Sequence, residues 1–341
     1  MTEVGITCLI PAFKIKYVGR LFTGLIKQKA KPVRVILSDD TPDNSFLAWF
    51  QERQSDLKNI INVEVHEGPK KGHYENIEFL ISLYRKKRTS HFHILCDDDQ
   101  IFPDFYNQHI KTHSQKPSMC SVSRRWVTNE AGWPLYTPDL PTSISNLDQR
   151  SIEIGGKLLA SSYIEDRLNW LGELSFAVFD MNFLGHHEQF HYYGDIPLVG
   201  LNDIGSFLKA SFLGRLVLID NYLGASNRNS DSFSGTKGFI VSLAVLGKLN
   251  FAIMALNNKV LTLDLLRKAI EDTIRLWQYH YGENWVLRKL SSLLEIFDNA
   301  GVNAFIAEFR KFHTFYYQES SHLANCYQQE QLIAALQNEP G

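Results

Sequence analysis

In its first part the chain alternates short runs of apolar and β-branched residues with stretches whose apolar positions recur every three or four residues. GITCLI, PVRVILS, INVEVH and HFHILC read as strands, and YVGRLFTGLIKQ, SFLAWFQERQ and HYENIEFLISLYRKK read as amphipathic helices. A βαβα series at this spacing predicts a mostly parallel sheet covered on both faces, with ligands bound outside the carboxyl ends of its strands. Those ends carry Pro11; then Ser38, Asp39 and Asp40; then the turn from His66 to Gly72; then Asp97, Asp98 and Asp99.

Beyond Ser118 the rhythm is less regular. RRWVTNEAGWPLYTPDLP, rich in turn formers and aromatics, is expected to be a long surface loop, and loops over a strand edge commonly carry recognition. In GDIPLVGLNDIGSFLKASFLGRLVLID, Asp203 opens an apolar helix, Gly214 closes it and a strand follows. From about Gly235 the chain reads as helices, in FIVSLAVLGKLNFAIMAL, VLTLDLLRKAIEDTIRLWQYHY, NWVLRKLSSLLEIF and NAFIAEFRKFHTFYY. The first of these is interrupted by Lys248 and Asn250, where a bilayer span needs about 20 nearly unbroken apolar residues, so a buried or interfacial helix is expected.

Composition narrows the function classes. The chain has 341 residues, 44% hydrophobic and 21% charged, enough for two packed units. Residues 1–125 carry 19 Lys and Arg against 14 Asp and Glu, and the remainder carries 16 against 23. The net charge of −2 and the lack of a basic stripe with interleaved aromatics argue against a nucleic-acid partner. Cys8, Cys96, Cys120 and Cys326 form no CxxC pair, which points to reduced thiols rather than a zinc site or disulfide framework. The start, MTEVGITCLIPAF, has no basic segment ahead of a long apolar stretch, so a cytoplasmic protein is expected. His187 and His191 have helical i, i+4 spacing beside His186, but no HExxH or third ligand accompanies them, and they read as surface or acceptor-site histidines.

The acidic triplet carries the chemistry. Asp97, Asp98 and Asp99 directly follow an apolar strand, and their mutual repulsion costs stability unless a cation offsets it. One or two such acids would be read as caps of the helix expected near Pro103; three favour a divalent metal. Hard oxygen ligands with no patterned Cys or His select Mg2+ or Mn2+, and magnesium is usually held by one or two carboxylates plus substrate phosphates. A nucleotide diphosphate compound is the ligand this implies.

Residues 4–110 resemble the family 2 glycosyltransferases: ITCLIPAF matches their first strand, VRVILSDDTPDNS their second, and FHILCDDDQIFPDF their DxD strand and following proline. The resemblance implies an α/β fold of the GT-A type, Rossmann-like, with a C-terminal helical region. It also implies an inverting transfer of sugar from a nucleotide diphosphate sugar to a hydroxyl of a glycan or lipid-linked glycan. By its motifs Asp40 would pair with the nucleobase in a pocket lined by Pro11, Ala12 and Phe13. Asp97 would touch the ribose and join the metal site; Asp99 would be the principal metal ligand, with Asp98 the alternative when the register is measured back from Pro103.

Two positions depart from the pattern. Lys14 stands where an Asn is frequent, and the arginine common after the third strand is absent from GHYENIEF, so Lys71, with Lys70, is the alternative source of positive charge for phosphate. Asp203 falls where the family places its general base, with Asp195 as the second candidate, and Trp126, Trp133 and Tyr136 are candidates for stacking on an acceptor sugar.

The expected organisation is a catalytic region over 1–234, divided into nucleotide-sugar binding (1–117) and acceptor side (118–234), and a helical region over 235–341. The C-terminal helices are expected either to pack on the catalytic region or to make peripheral contact with the inner face of the membrane or a partner protein. The resemblance suggests polysaccharide or lipopolysaccharide assembly as the setting. The alternatives are a sugar nucleotidyltransferase, whose glycine-rich signature with Arg and Lys near the N-terminus is missing, and a catalytically inactive nucleotide-sugar-binding protein.

Overall fold

The computed structural model describes residues 3–147, 150–164, 169–185, 189–228, 238–326 and 328–339. Two compact units are present: one comprises residues 1–155, 169–191 and 209–228, the other 156–168, 192–208 and 229–341.

The first unit is built on a mixed sheet. Its strands are β1 (Glu3–Ala12), β2 (Arg34–Asp39), β3 (Val63–Glu67), β4 (Thr89–Ile94), β5 (Gln100–Ile101), β6 (Cys120–Asn129), β7 (Pro134–Tyr136), β8 (Ser151–Ile154), β9 (Ala177–Asp180) and, after a two-stranded ribbon of β10 (Tyr192–Tyr193) and β11 (Ile196–Pro197) in the other unit, β12 (Leu216–Arg228). The strand order is β3-β2-β1-β4-β9-β6-β12-β5. Four strands run parallel from β3 to β4; β9 then enters antiparallel to both β4 and β6, and β6 and β12 are parallel to one another. The connecting helices are α1 (Val18–Ile26), α2 (Ser45–Leu57), α3 (His73–Lys86), α4 (Phe105–Gln115) and the short α5 (Thr142–Ser145).

These elements form where the hydrophobic pattern predicts. In α1, Val18, Leu21, Phe22 and Leu25 are buried at i, i+3, i+4 and i+7 and pack with Cys8, Ile10, Val35 and Leu37 on one face of the sheet. On β1 both Leu9 and Ile10 are fully buried, as expected of a parallel strand covered on two sides. Each fully buried Leu, Ile or Phe contributes about 1.5–3 kcal/mol of apolar burial, so the sheet holds the strand ends in place by many modest terms.

One expectation is corrected, and one element had no forerunner in the pattern. The stretch expected to be a long surface loop is a β-hairpin: residues 124–129 continue β6, which pairs antiparallel with β7. The aromatic and β-branched run Trp126, Val127 and Thr128 is a short strand signal masked by the surrounding Pro and Gly. The short β9 strand, AVFD, gave no periodic signal of its own and is stabilised by pairing on both sides, with Phe179 stacked on Phe92 at 5.3 Å between ring centroids.

The second unit is helical: α6 (Gly156–Ile164), part of α7 (Asn202–Leu213), α8 (Phe239–Asn257), α9 (Leu263–Tyr281), α10 (Trp285–Ala300), α11 (Val302–Gln318) and α12 (Gln329–Ala335). Thr262 caps α9 through Leu265 N–H, and Asn284 Oδ1 caps α10 by accepting from Val286 and Leu287 N–H while also accepting from the Trp277 indole. Among the described residues α8 is the one helix long and apolar enough to cross a membrane, and 72% of its most apolar window is buried, as in a core helix.

Candidate functional site

The C-terminal ends of β1, β2 and β4 lie side by side, with Ala12 opposite Asp39 and Leu9 opposite Ile94. The chain therefore delivers PAFK, DDT and CDDD to one edge of the sheet. Asp39 is structural: its carboxylate accepts from Thr41 N–H and Oγ1–H and from Leu47 N–H, which fixes the turn into α2. Asp40 is different. Its backbone N–H is held by Ala12 O, its Oδ1 accepts from Lys70 N–H at 2.5 Å, and its Oδ2 makes none of the described hydrogen bonds.

Gly68 makes that geometry possible. A Cβ there would stand 2.7 Å from Asp40 Oδ1 and 2.9 Å from Asp39 O, so any side chain would drive the turn off the strand end. Beside Asp40, Pro11 and Ala12 are buried in the floor of the strand end, while Phe13 is 60% exposed and offers a bare ring. Lys71 is exposed, and Lys70, at φ +54°, directs its ammonium to Glu67 at 3.0 Å.

The triplet leaves β4 without capping the next helix. Asp104 holds the N-cap position of α4, and β5 lies between it and the triplet. The three acids take different partners. Asp97 Oδ2 accepts from the backbone N–H of Phe13 and of Lys14, at 2.6 and 2.5 Å. Asp98 Oδ2 accepts from the Lys14 ammonium at 2.5 Å. Asp99 Oδ1 accepts from Asn227 N–H at 3.1 Å, tying the triplet to the end of β12.

Burial dominates the electrostatics. It raises the Asp97 carboxyl to about 6, aided by the Asp98 charge and opposed by the two backbone N–H groups. Burial, then Asp98 and Glu173, hold Asp99 well above the usual carboxylate range. For Lys14, burial works against the charge but is outweighed by Asp98, Asp97 and Cys96, so its ammonium is held above the ordinary lysine value. Half-buried His73 is pushed down to about 4 by burial, with Asp98 opposing. The Lys14 ammonium thus sits on Asp98 and also feels the charge of Asp97. Among the described residues no three His, Cys, Asp or Glu side chains converge as a metal site.

Glu173 and Asn227 gave no sequence signal, because their roles depend on pairings across distant strands. Glu173 is held by buried Arg125, whose Nε lies 2.5 Å from Oε2. Gly172, at φ +103°, permits this: a Cβ would fall 2.2 Å from the guanidinium carbon.

Of the acceptor candidates, Trp133 and Tyr136 stand 70% and 50% exposed on the β6–β7 hairpin, and Trp126 packs against Tyr222, which Arg124 covers at 4.4 Å. In the second unit, Asp203 lies in the first turn of α7 and its Oδ1 accepts from Ile204 N–H at 2.8 Å. Asp195 is paired with Arg310 at 2.5 Å. His191 is buried, with its ring against Tyr74, rather than on the surface as the spacing suggested; His186 and His187 lie outside the described residues.

No protein-family model and no curated protein sequence matches the chain. Among solved structures it is similar to residues 1–349 of S. aureus TarS in complex with UDP-GlcNAc, at 13% identity and a TM-score of 0.52, covering 93% of this chain and 92% of that one. A longer S. aureus TarS chain gives 13% identity and a TM-score of 0.51, with 92% of this chain and 55% of that one covered. At this identity the likeness is one of fold, and that fold is the α/β GT-A arrangement, a mostly parallel sheet flanked by helices and followed by C-terminal helices.

Proposed function

We propose that the chain is an inverting glycosyltransferase that moves a sugar from a nucleotide diphosphate sugar to a hydroxyl of a glycan or lipid-linked glycan. The observation that carries this reading is the meeting of three strand ends, which puts Asp40, the bare Phe13 ring and the acid triplet on one edge. That edge is where a GT-A fold takes a nucleotide sugar, and the TarS structure of the same fold holds UDP-GlcNAc.

The nucleobase is assigned to Asp40 Oδ2, with Phe13 stacking and Pro11 and Ala12 beneath. A carboxylate there accepts from a ring N–H. Asp97 braces the loop after β1 through its two backbone hydrogen bonds and contacts the ribose. The residues present suit Mg2+ or Mn2+: the donors are carboxylates only, and burial, then the neighbouring Asp98 charge, has raised Asp97 and Asp99, a cost that a bound cation would offset. Asp99, with Asp97 or Asp98, would hold the ion, which would supply charge to the leaving diphosphate. Asp203 takes the proton of the acceptor hydroxyl, and Trp126, Trp133 and Tyr136 offer faces to the acceptor. The setting proposed is polysaccharide or lipopolysaccharide assembly at the cytoplasmic side of the membrane.

The test is thermal stabilisation by UDP, GDP, dTDP and CMP, each with manganese or with EDTA. A nucleoside diphosphate should raise the melting temperature in manganese by mass action, and EDTA should remove the effect. Equal stabilisation in EDTA would discard the metal assignment, and no stabilisation by any of the four would discard the donor site.

Asp40→Ala should weaken nucleotide binding about 10- to 100-fold, the worth of a hydrogen bond to a charged group. It should change kcat at saturating donor little, since a contact far from the reacting centre is made in ground and transition state alike. Calorimetry with the matching nucleoside diphosphate checks this; unchanged affinity would move the base pocket elsewhere.

A further inference from the structure

Lys14 is held by two successive acids of the triplet, its backbone N–H by Asp97 and its ammonium by Asp98. The side chains of Lys14 and Asp98 are 19% and 12% exposed, so the pair is largely screened from water. The backbone contact fixes where the side chain begins, while the four-carbon stem leaves the charge able to swing. A divalent cation approaching these carboxylates meets an ammonium already seated on one of them.

We propose that Lys14 is the resident counter-ion of the acid triplet, and that it yields Asp98 to a divalent cation and passes its own charge to the diphosphate of the incoming donor. This rests on reading the strand-end pocket as a donor site. A divalent cation arriving at Asp98 repels the ammonium seated on the same carboxylate and loosens it, and the donor phosphates are the anion that then receives it. Metal and nucleotide binding are thereby coupled through one side chain: each makes the other tighter by the same factor.

The experiment uses the full chain. Manganese binding without nucleotide, followed by calorimetry or by the EPR signal of free Mn2+, should be about tenfold or more tighter in Lys14→Met, because the competing charge is gone. Lys14→Arg should stay near wild type. With manganese saturating, UDP and GDP should bind Lys14→Met about tenfold or more weakly than wild type. A merely structural lysine would give the opposite sign in the manganese arm, since a loosened site binds metal less well. Should the methionine variant fail to fold, Lys14→Gln carries the same two expectations.

Unchanged or weaker manganese binding overturns the counter-ion role, and unchanged nucleotide affinity overturns the transfer of charge to the diphosphate. Failure of the donor-site reading is separately visible, as a wild-type chain that binds manganese but no nucleoside diphosphate; the transfer of charge falls with it.

Discussion

Asp203→Asn should cut sugar transfer by on the order of 100- to 10,000-fold, the usual cost of losing a general base, while leaving nucleotide binding intact. Asparagine keeps the shape of the side chain and an oxygen that can still accept from Ile204 N–H. What it loses is the ability to take a proton, together with a favourable charge in the first turn of α7 worth about 0.3–1 kcal/mol. A purely structural aspartate would therefore show a small fall in melting temperature and a near wild-type rate. That outcome would remove Asp203 from the mechanism and bring forward Asp195, whose pairing with Arg310 would first have to open. The readout is single-turnover transfer beside a binding isotherm for the donor nucleotide.

Mild acid should unfold the first unit. His93, His113 and His191 are buried, and burial above all lowers them to about 4, about 3 and about 3, with His109 also well below its ordinary value. A depressed histidine is neutral in the fold while the unfolded chain takes a proton from about pH 6.5 downward. Stability is therefore complete above pH 6.5 and lost as the pH falls toward the folded values. At pH 5 each group costs up to about 2 kcal/mol, so four approach the whole stability of a typical domain. His73 and His91 are lowered as well, so Asp97, Asp99 and Glu78, whose raised carboxyls take up protons in the fold and act in the opposite direction, are outnumbered. In the second unit His313, lowered to about 4 by burial, is the one buried histidine among the described residues, so its acid loss should be shallower. Urea melts at pH 7.5, 6.0 and 5.0 check this; a midpoint flat across that range would mean these histidines are charged or hydrated in the native protein.

The parallel half of the sheet was legible because each of its elements carries its own period. β1 to β4 and α1 to α3 depend on local apolar spacing, and their observed bounds fall within a few residues of the patterns. β9 and the β6–β7 hairpin were not, since their stability comes from partners far along the chain. The acid triplet and Asp40 were readable as motifs, yet their individual partners were not. Nothing in CDDD tells that Asp97 turns to a backbone, Asp98 to an ammonium and Asp99 to the end of β12. Lys14 was visible only as a departure from a pattern; its meaning needed its distance to Asp98.

The hydrogen bonds that fix the triplet also bear on the order in which the protein folds. Asp97 reaches Phe13 across 84 positions of chain and Asp99 reaches Asn227 across 128. Closing loops of this length is entropically slow, whereas α8 meets α9 and α10 meets α11 between sequence neighbours. After dilution from denaturant, helical circular dichroism should return before the capacity to bind nucleotide does. The strand-end site is thus expected to form late in folding, and on the proposed reading a chain caught partway would be largely helical yet unable to take a donor.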